Sequence, residues 1–273
     1  MKQSAIVFDL PIIPNKSGNL CFMQVRDHIP FLIDRVYWVY NVSRKEFQND
    51  CEAEPSEEVI VALAGRFDVA VHDGTDEQLI TLDRAYRGLY VPREHTWELR
   101  NCSLNTIAFV VASAPPDATG SEILTSPINP GRQIDAREST IEDCAIVELP
   151  QLERHAGNIT FLRSGENWGF RIRRVYHLTD VPKGASRGGH AHRELHQFVI
   201  AANGSFDVVI DDGLDKRSIR LFRPDCALHL IPGIWRELHN FSLGSVCLVI
   251  ASDPYDEQDY LREYDDFRFL KGR

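Results

Sequence analysis

The chain is expected to be all-β, built as two small β-barrels in tandem. Two observations predict this. The sequence repeats itself once, and each copy is written in short strand-like runs separated by tight turns. Helical periodicity is scarce, the one stretch that carries it being the charged tail Asp256 to Leu270.

The repeat has a shift of 139 residues, which carries DRVYWVYNV (Asp34 to Val42) onto RRVYHLTDV (Arg173 to Val181). The same shift sets Gly18-Asn19 on Gly157-Asn158, the run Gly65 to Val69 on Gly204 to Val208, Glu98-Leu99 on Glu237-Leu238, and Ala112-Ser113 on Ala251-Ser252. A Pro- and Gly-containing connection, Ala114 to Thr140, separates the copies, so the domains are placed at 1–130 and 131–273. Within each copy, Val59 to Leu63 and Phe198 to Ala202 read as strands ending near a glycine. His72-Asp73-Gly74 and Asp211-Asp212-Gly213 read as hairpin turns, and Ile107 to Val111 and Val246 to Ile250 as buried closing strands.

The chain has 273 residues, 43% hydrophobic and 26% charged, with a net charge of −10. That balance argues against a nucleic-acid partner or an anionic membrane surface. No apolar run approaches the roughly 20 residues of a membrane span, and the N-terminus lacks a signal-like stretch. Six cysteines without CxxC spacing suggest free thiols in the cytoplasm, neither a zinc site nor a disulfide framework.

The chemistry gathers at RGGHAHRELHQF, Arg187 to Phe198. Residues two apart on a strand share a face, so His190 and His192 should project together. Gly184, five residues, His190-Ala191-His192, four residues, Gln197, six residues and Gly204 reproduce the spacing of the first cupin motif. Pro232-Gly233, two residues, Arg236, three residues and Asn240 reproduce that of the second. Each barrel is therefore expected to be a cupin jelly roll. A metal cupin supplies three histidines and a glutamate. Here Gln197 stands for the glutamate and Arg236 for the third histidine, and a guanidinium repels a cation. No metal and no cofactor are expected, which leaves the histidines for proton transfer.

The second copy further resembles the WxcM-like sugar 3,4-ketoisomerases, on the evidence of RVYHLTDVPKGASRGGHAH, the PGIW segment and the DYxREYDDF-like tail in that order, over about Ala145 to Phe269. The resemblance implies a metal-free, usually dimeric jelly roll acting on dTDP-4-keto-6-deoxyglucose, in a route to deoxyamino sugars of surface glycans. A base removes the C3 proton acidified by the C4 ketone, an enediol forms, and reprotonation at C4 leaves the ketone at C3. His190 is the expected base, His192 its assistant, and Tyr176 a hydrogen-bond donor or proton relay. Arg174, Arg187, Arg236 and Gln197 are the expected substrate contacts, a fixed guanidinium suiting a diphosphate or an enediolate oxygen. Trp235 fits either core or a base-stacking platform. Where many members carry an arginine before the early glycine, this copy has Ala156, with Arg154 and His155 as possible stand-ins.

The first copy lacks this machinery. Cys51 and Ala53, within the acidic run Asp50 to Glu54, stand at the histidine positions, with Gln48 for Arg187 and Trp97 for Arg236. Glu58, Arg35 and Tyr37 remain. It reads as a degenerate copy that pairs with the live one, making the chain either a homodimer subunit or an intrachain pseudo-dimer. The competing readings are an epimerase or dehydratase on the same keto-sugar, or a non-catalytic sugar-nucleotide binding module.

Overall fold

A computed structural model describes residues 4–42, 47–48, 55–114, 134–165 and 169–273. The described chain is almost entirely antiparallel β. Two seven-stranded sheets and two smaller ones form a pair of jelly-roll barrels. The expected hairpins are present: Phe67–His72 turns into Glu77–Leu82, and Phe206–Asp211 into Lys216–Leu221. In each turn one aspartate caps the backbone. Asp73 accepts from the amides of Thr75 and Asp76, and Asp212 from those of Leu214 and Asp215.

The seven-stranded sheets are buried on both faces, which is why their strands read as unbroken apolar runs. Along Ile107–Ala112, residues Ile107, Phe109 and Val111 enter a core common to both halves, while Ala108, Val110 and Ala112 enter the first barrel. Along Val246–Ala251, Val246, Leu248 and Ile250 enter the common core, and Cys247 and Val249 the second barrel. The common core also holds Met23, Trp38, Leu162, Val175 and Phe198. Each fully buried aliphatic side chain contributes about 1.5–3 kcal/mol, so this shared core is a main source of cohesion between the halves.

The two halves also exchange strands. The first seven-stranded sheet runs from Ile6–Asp9 to Arg35–Tyr40 and then continues with Gly157–Arg163 and Gln151–Arg154 of the second half. The other ends Val246–Ala251, Arg174–Thr179, Asn19–Gln24 and Ile12–Ile13, the last two from the first half. Each stretch cut at residue 130 therefore places two strands at the edge of the other's large sheet. Most of the expected connection, residues 115–133, lies outside the described residues, as do Asn49 to Glu54 with Cys51 and Ala53.

The tail departs from the expected helix. Only Tyr264–Leu270 is α-helical; Glu257–Asp259 is a single 3-10 turn and Tyr260–Leu261 a short strand. That strand supplies a partner to Ala191 and His192, which have parted from the neighbouring strand.

Candidate active site

The site sits where Arg187–His192, Trp235–His239, Arg174–Thr179, Gln197–Asn203 and the 255–262 segment converge in the second barrel. Its geometry starts at the glycines. Gly188 has φ +85° and lies so close to the next strand that a Cβ would stand 2.7 Å from the Arg236 carbonyl. The pairing with Trp235–His239 shifts register between Gly188 and His190, a β-bulge. Beyond it the strand pairs with Tyr260–Leu261. The two histidines come together as expected, their rings 5.1 Å apart and nearly perpendicular, with Tyr260 packed 5.0 Å from His190 and 4.2 Å from His192.

Around them runs a chain of hydrogen bonds. Arg236 donates to Gln197 Oε1 at 2.6 Å and to the His190 carbonyl at 3.1 Å, and Gln197 Nε2 donates to the Tyr176 hydroxyl at 2.9 Å. The guanidinium and amide at the positions where a metal cupin has ligands are thus bonded to each other. Both ends of the Gln197 amide are used inside the protein, so this residue bridges Arg236 and Tyr176 and is not free for the substrate contact expected of it. Arg174 is buried beneath the rings of Tyr176 and Tyr255, each 5.7 Å away, and its Nε and Nη2 have no hydrogen-bond partner. Arg187 is half-buried with Cys247 and Tyr176 as electrostatic neighbours, and burial weakens its hold on its proton. The three arginines thus share Tyr176 as a neighbour.

Burial sets the protonation states. It holds His190 and His192 well below the ordinary histidine range, with the Arg236 guanidinium adding to the effect on both, so both are neutral near pH 7. His190 is anchored by the backbone of Gly188. Burial also brings Arg236 down to about 10 and raises the Tyr176 phenol, keeping it protonated. With Gln197 donating to its oxygen, the Tyr176 proton is left for another acceptor. Trp235 is core, packed against Tyr264 and Phe267.

Two features escaped the sequence. His192 Nδ1 meets Asp259 Oδ2 at 2.6 Å, and Arg262 lies 4.3 Å over Tyr260 while paired with Glu257. The tail motif that carries Asp259, Tyr260 and Arg262 was visible, but nothing in it pointed to a histidine 67 residues earlier. The strand exchange also relocates the early-glycine position. Arg154, His155 and Ala156 belong to the hairpin added to the first barrel. The residue before the corresponding glycine on the second barrel's sheet is Ser17, leading into Gly18 and Asn19–Gln24. Arg154 and His155 therefore do not replace the missing arginine at this site.

In the first barrel the corresponding place is filled. Glu58 accepts from Tyr37 at 3.1 Å, Ser56 at 3.2 Å and Arg35 at 3.5 Å through Oε1, and from the Trp97 indole through Oε2. Of the counterpart of the histidine strand, Phe47–Gln48 lies among the described residues, as a two-residue strand.

The sequence model of the WxcM-like, C-terminal family (FdtA) matches residues 3–119 and again residues 142–272. The chain is similar to the TDP-4-oxo-6-deoxy-alpha-D-glucose-3,4-oxoisomerase of Aneurinibacillus thermoaerophilus, 37% identical over 123 residues that cover 45% of this chain and 88% of that protein. Among solved structures, a mutant of the 3,4-ketoisomerase QdtA from Thermoanaerobacterium thermosaccharolyticum, in complex with TDP-4-keto-6-deoxyglucose, is 35% identical with a TM-score of 0.46 over 48% of this chain and 95% of that one. A 3,4-ketoisomerase from Helicobacter canadensis is 38% identical, TM-score 0.46, over 47% and 97%. Each of these relatives corresponds to about half of the present chain. No described helix is long and apolar enough to cross a membrane.

Proposed function

The chain belongs to the WxcM-like, C-terminal family, matched in both of its halves, and on that premise we propose that it is a 3,4-ketoisomerase of a TDP-linked 4-keto-6-deoxyhexose, working at the second barrel. The observation that carries this reading is the buried, partly unpartnered Arg174 beside two neutral histidines. A buried cation with unpartnered nitrogens in an otherwise acidic protein calls for an anionic ligand, and a diphosphate supplies one.

His190 and His192, both neutral, move protons between C3 and C4 and between their oxygens. A base takes the C3 hydrogen as the C4 carbonyl becomes an enediolate. The O4 oxygen gains a proton, O3 loses one, and the carbon proton returns at C4, so the sugar is isomerised with no net gain or loss of atoms or electrons. The protonated Tyr176 phenol and the guanidiniums stabilise the enediolate oxygen. Neither metal nor organic cofactor enters the scheme: the third-histidine and glutamate positions hold Arg236 and Gln197, bonded to each other. The first barrel is a non-catalytic partner that lends Asn19–Gln24 to the catalytic sheet, which makes the chain an intrachain pseudo-dimer. A cytoplasmic location fits its five described cysteines, all buried and free.

Incubation with TDP-4-keto-6-deoxyglucose followed by NMR of the product tests the reading. A C3 ketone supports it; an inverted centre with the ketone at C4 indicates an epimerase, and unchanged substrate with measurable binding a non-catalytic module. Full turnover in His190→Asn would remove that residue from the scheme.

A further inference from the structure

Asp259 is part of neither the sequence expectation nor the scheme above, yet its placement is closely determined. The bulge at Gly188-Gly189 frees Ala191 and His192 to pair with Leu261 and Tyr260. The turn before Tyr260 is held by Asp256, which accepts from the Gln258 amide at 2.9 Å. Asp259, at the end of that turn, points back at the histidine strand. Its Oδ1 accepts from the backbone amides of Arg193 at 2.9 Å and Glu194 at 2.7 Å, and its Oδ2 lies 2.6 Å from His192 Nδ1. One oxygen thus fixes the carboxylate to the backbone while the other addresses the ring.

An ionised carboxylate only accepts hydrogen bonds, so Nδ1 must carry the hydrogen. The opposite nitrogen, His192 Nε2, is buried without a partner. The ring plane is fixed as well, by Tyr260 at 4.2 Å and His190 at 5.1 Å. Three cations act on the ring: Arg236 from Trp235–His239, Arg174 from Arg174–Thr179, and Arg262 from the tail, itself paired with Glu257. With burial, these keep the imidazole neutral and leave Nε2 an unshared pair.

We infer that Asp259 is a positioning residue that fixes His192 as the Nδ1–H tautomer and makes His192 Nε2 a proton acceptor in the isomerisation. His192 is then a proton-transfer group in its own right and not an assistant to His190, and the carboxylate stabilises the imidazolium that forms each time Nε2 takes a proton. This deepens the ketoisomerase reading and rests on it.

The test is D259N. Asparagine keeps one oxygen for the Arg193 and Glu194 amides but turns an NH₂ toward His192 Nδ1, which forces the other tautomer. The expected result is a fall in kcat of about 10²–10⁴, the worth of a positioned proton-transfer group and at its upper end that of a wrong-tautomer substitution, with KM within about threefold, as befits a group acting in the transition state. Imidazole ¹⁵N NMR of the wild-type protein should show His192 protonated at Nδ1 and bare at Nε2, reversed in D259N. Wild-type turnover in D259N, or an Nε2-protonated His192 in the wild-type protein, would overturn the inference; the second holds even if the variant does not fold. A wild-type protein with the Nδ1–H tautomer but no ketoisomerase activity would sink the proposed reaction while leaving the positioning intact.

Discussion

Trp38 and His177 occupy equivalent places in the two halves, and each reaches across to the other. Trp38 Nε1 donates to the Pro224 carbonyl at 3.0 Å, and His177 Nε2 to the Ala85 carbonyl at 2.9 Å. Both residues sit mid-strand, on Arg35–Tyr40 and Arg174–Thr179, and both carbonyls lie in equivalent turns. The seam between halves therefore carries a reciprocal pair of bonds, one of which can titrate.

Burial lowers His177 to about 4. Its folded value lies below its unfolded one of roughly 6.5, so the stabilisation is complete above pH 6.5 and is lost as pH falls toward 4, at about 1.4 kcal/mol per pH unit. Denaturant unfolding should show stability declining across that window. His177→Gln should make the decline shallower by up to about 1.4 kcal/mol per pH unit, the remainder belonging to His190, His192, His196 and His229, which burial also lowers. Trp38→Phe, by contrast, should lower stability by about 1 kcal/mol at every pH without changing the slope. An unchanged slope in His177→Gln would remove this histidine from the acid-sensitive groups.

Arg174 should cost stability in the free protein and supply affinity in the complex. A buried guanidinium with unpartnered nitrogens is expensive, so Arg174→Met is expected to melt at or above the wild-type temperature. TDP at a hundredfold excess over Kd should stabilise the wild-type protein by about 2.7 kcal/mol, visible as a thermal shift, and the variant far less at the same concentration. Equal shifts in both would take the diphosphate away from Arg174.

The same contrast shows what could be read without coordinates. The repeat, the hairpins and the strands of the large sheets follow from apolar runs and turn residues, and the paired projection of His190 and His192 follows from strand geometry. The strand exchange does not. Asn19–Gln24 and Gly157–Arg163 are the same element written twice, and each would find an equivalent edge in either barrel. Pattern cannot choose between identical partners. Asp259 was hidden for another reason, because its approach to His192 depends on a bulge that changes the strand's neighbour midway.

Glu58 should matter for stability and not for turnover. Four donors converge on it in the first barrel, among them Arg35, whose side chain is only 16% exposed. Glu58→Gln removes the charge that balances Arg35 and puts an NH₂ among donors, so a loss of about 2–4 kcal/mol is expected. Ketoisomerase kcat and KM, measured well below the variant's melting temperature, should not change. A specific loss of turnover would give the first barrel a part in catalysis.

Gly188 and Gly189 separate backbone strain from close approach. Both have positive φ, +85° and +71°, so alanine at either carries a similar conformational cost of about 1–2 kcal/mol. Their surroundings differ. An added Cβ at Gly189 meets nothing within 4 Å, whereas at Gly188 it stands 2.7 Å from the Arg236 carbonyl and 3.2 Å from Glu237 Cα. Gly188→Ala must therefore push Arg187–His192 away from Trp235–His239. The bond from Arg236 to the His190 carbonyl spans that gap, so both groups move. A misplacement of about 1 Å at reacting groups can cost 10²-fold. Gly188→Ala should thus lose turnover well beyond its loss of stability, while Gly189→Ala, at the mouth of the same bulge, should be destabilised yet active. Equal activities in the two variants would mean that the close approach of these strands does not set the position of His190.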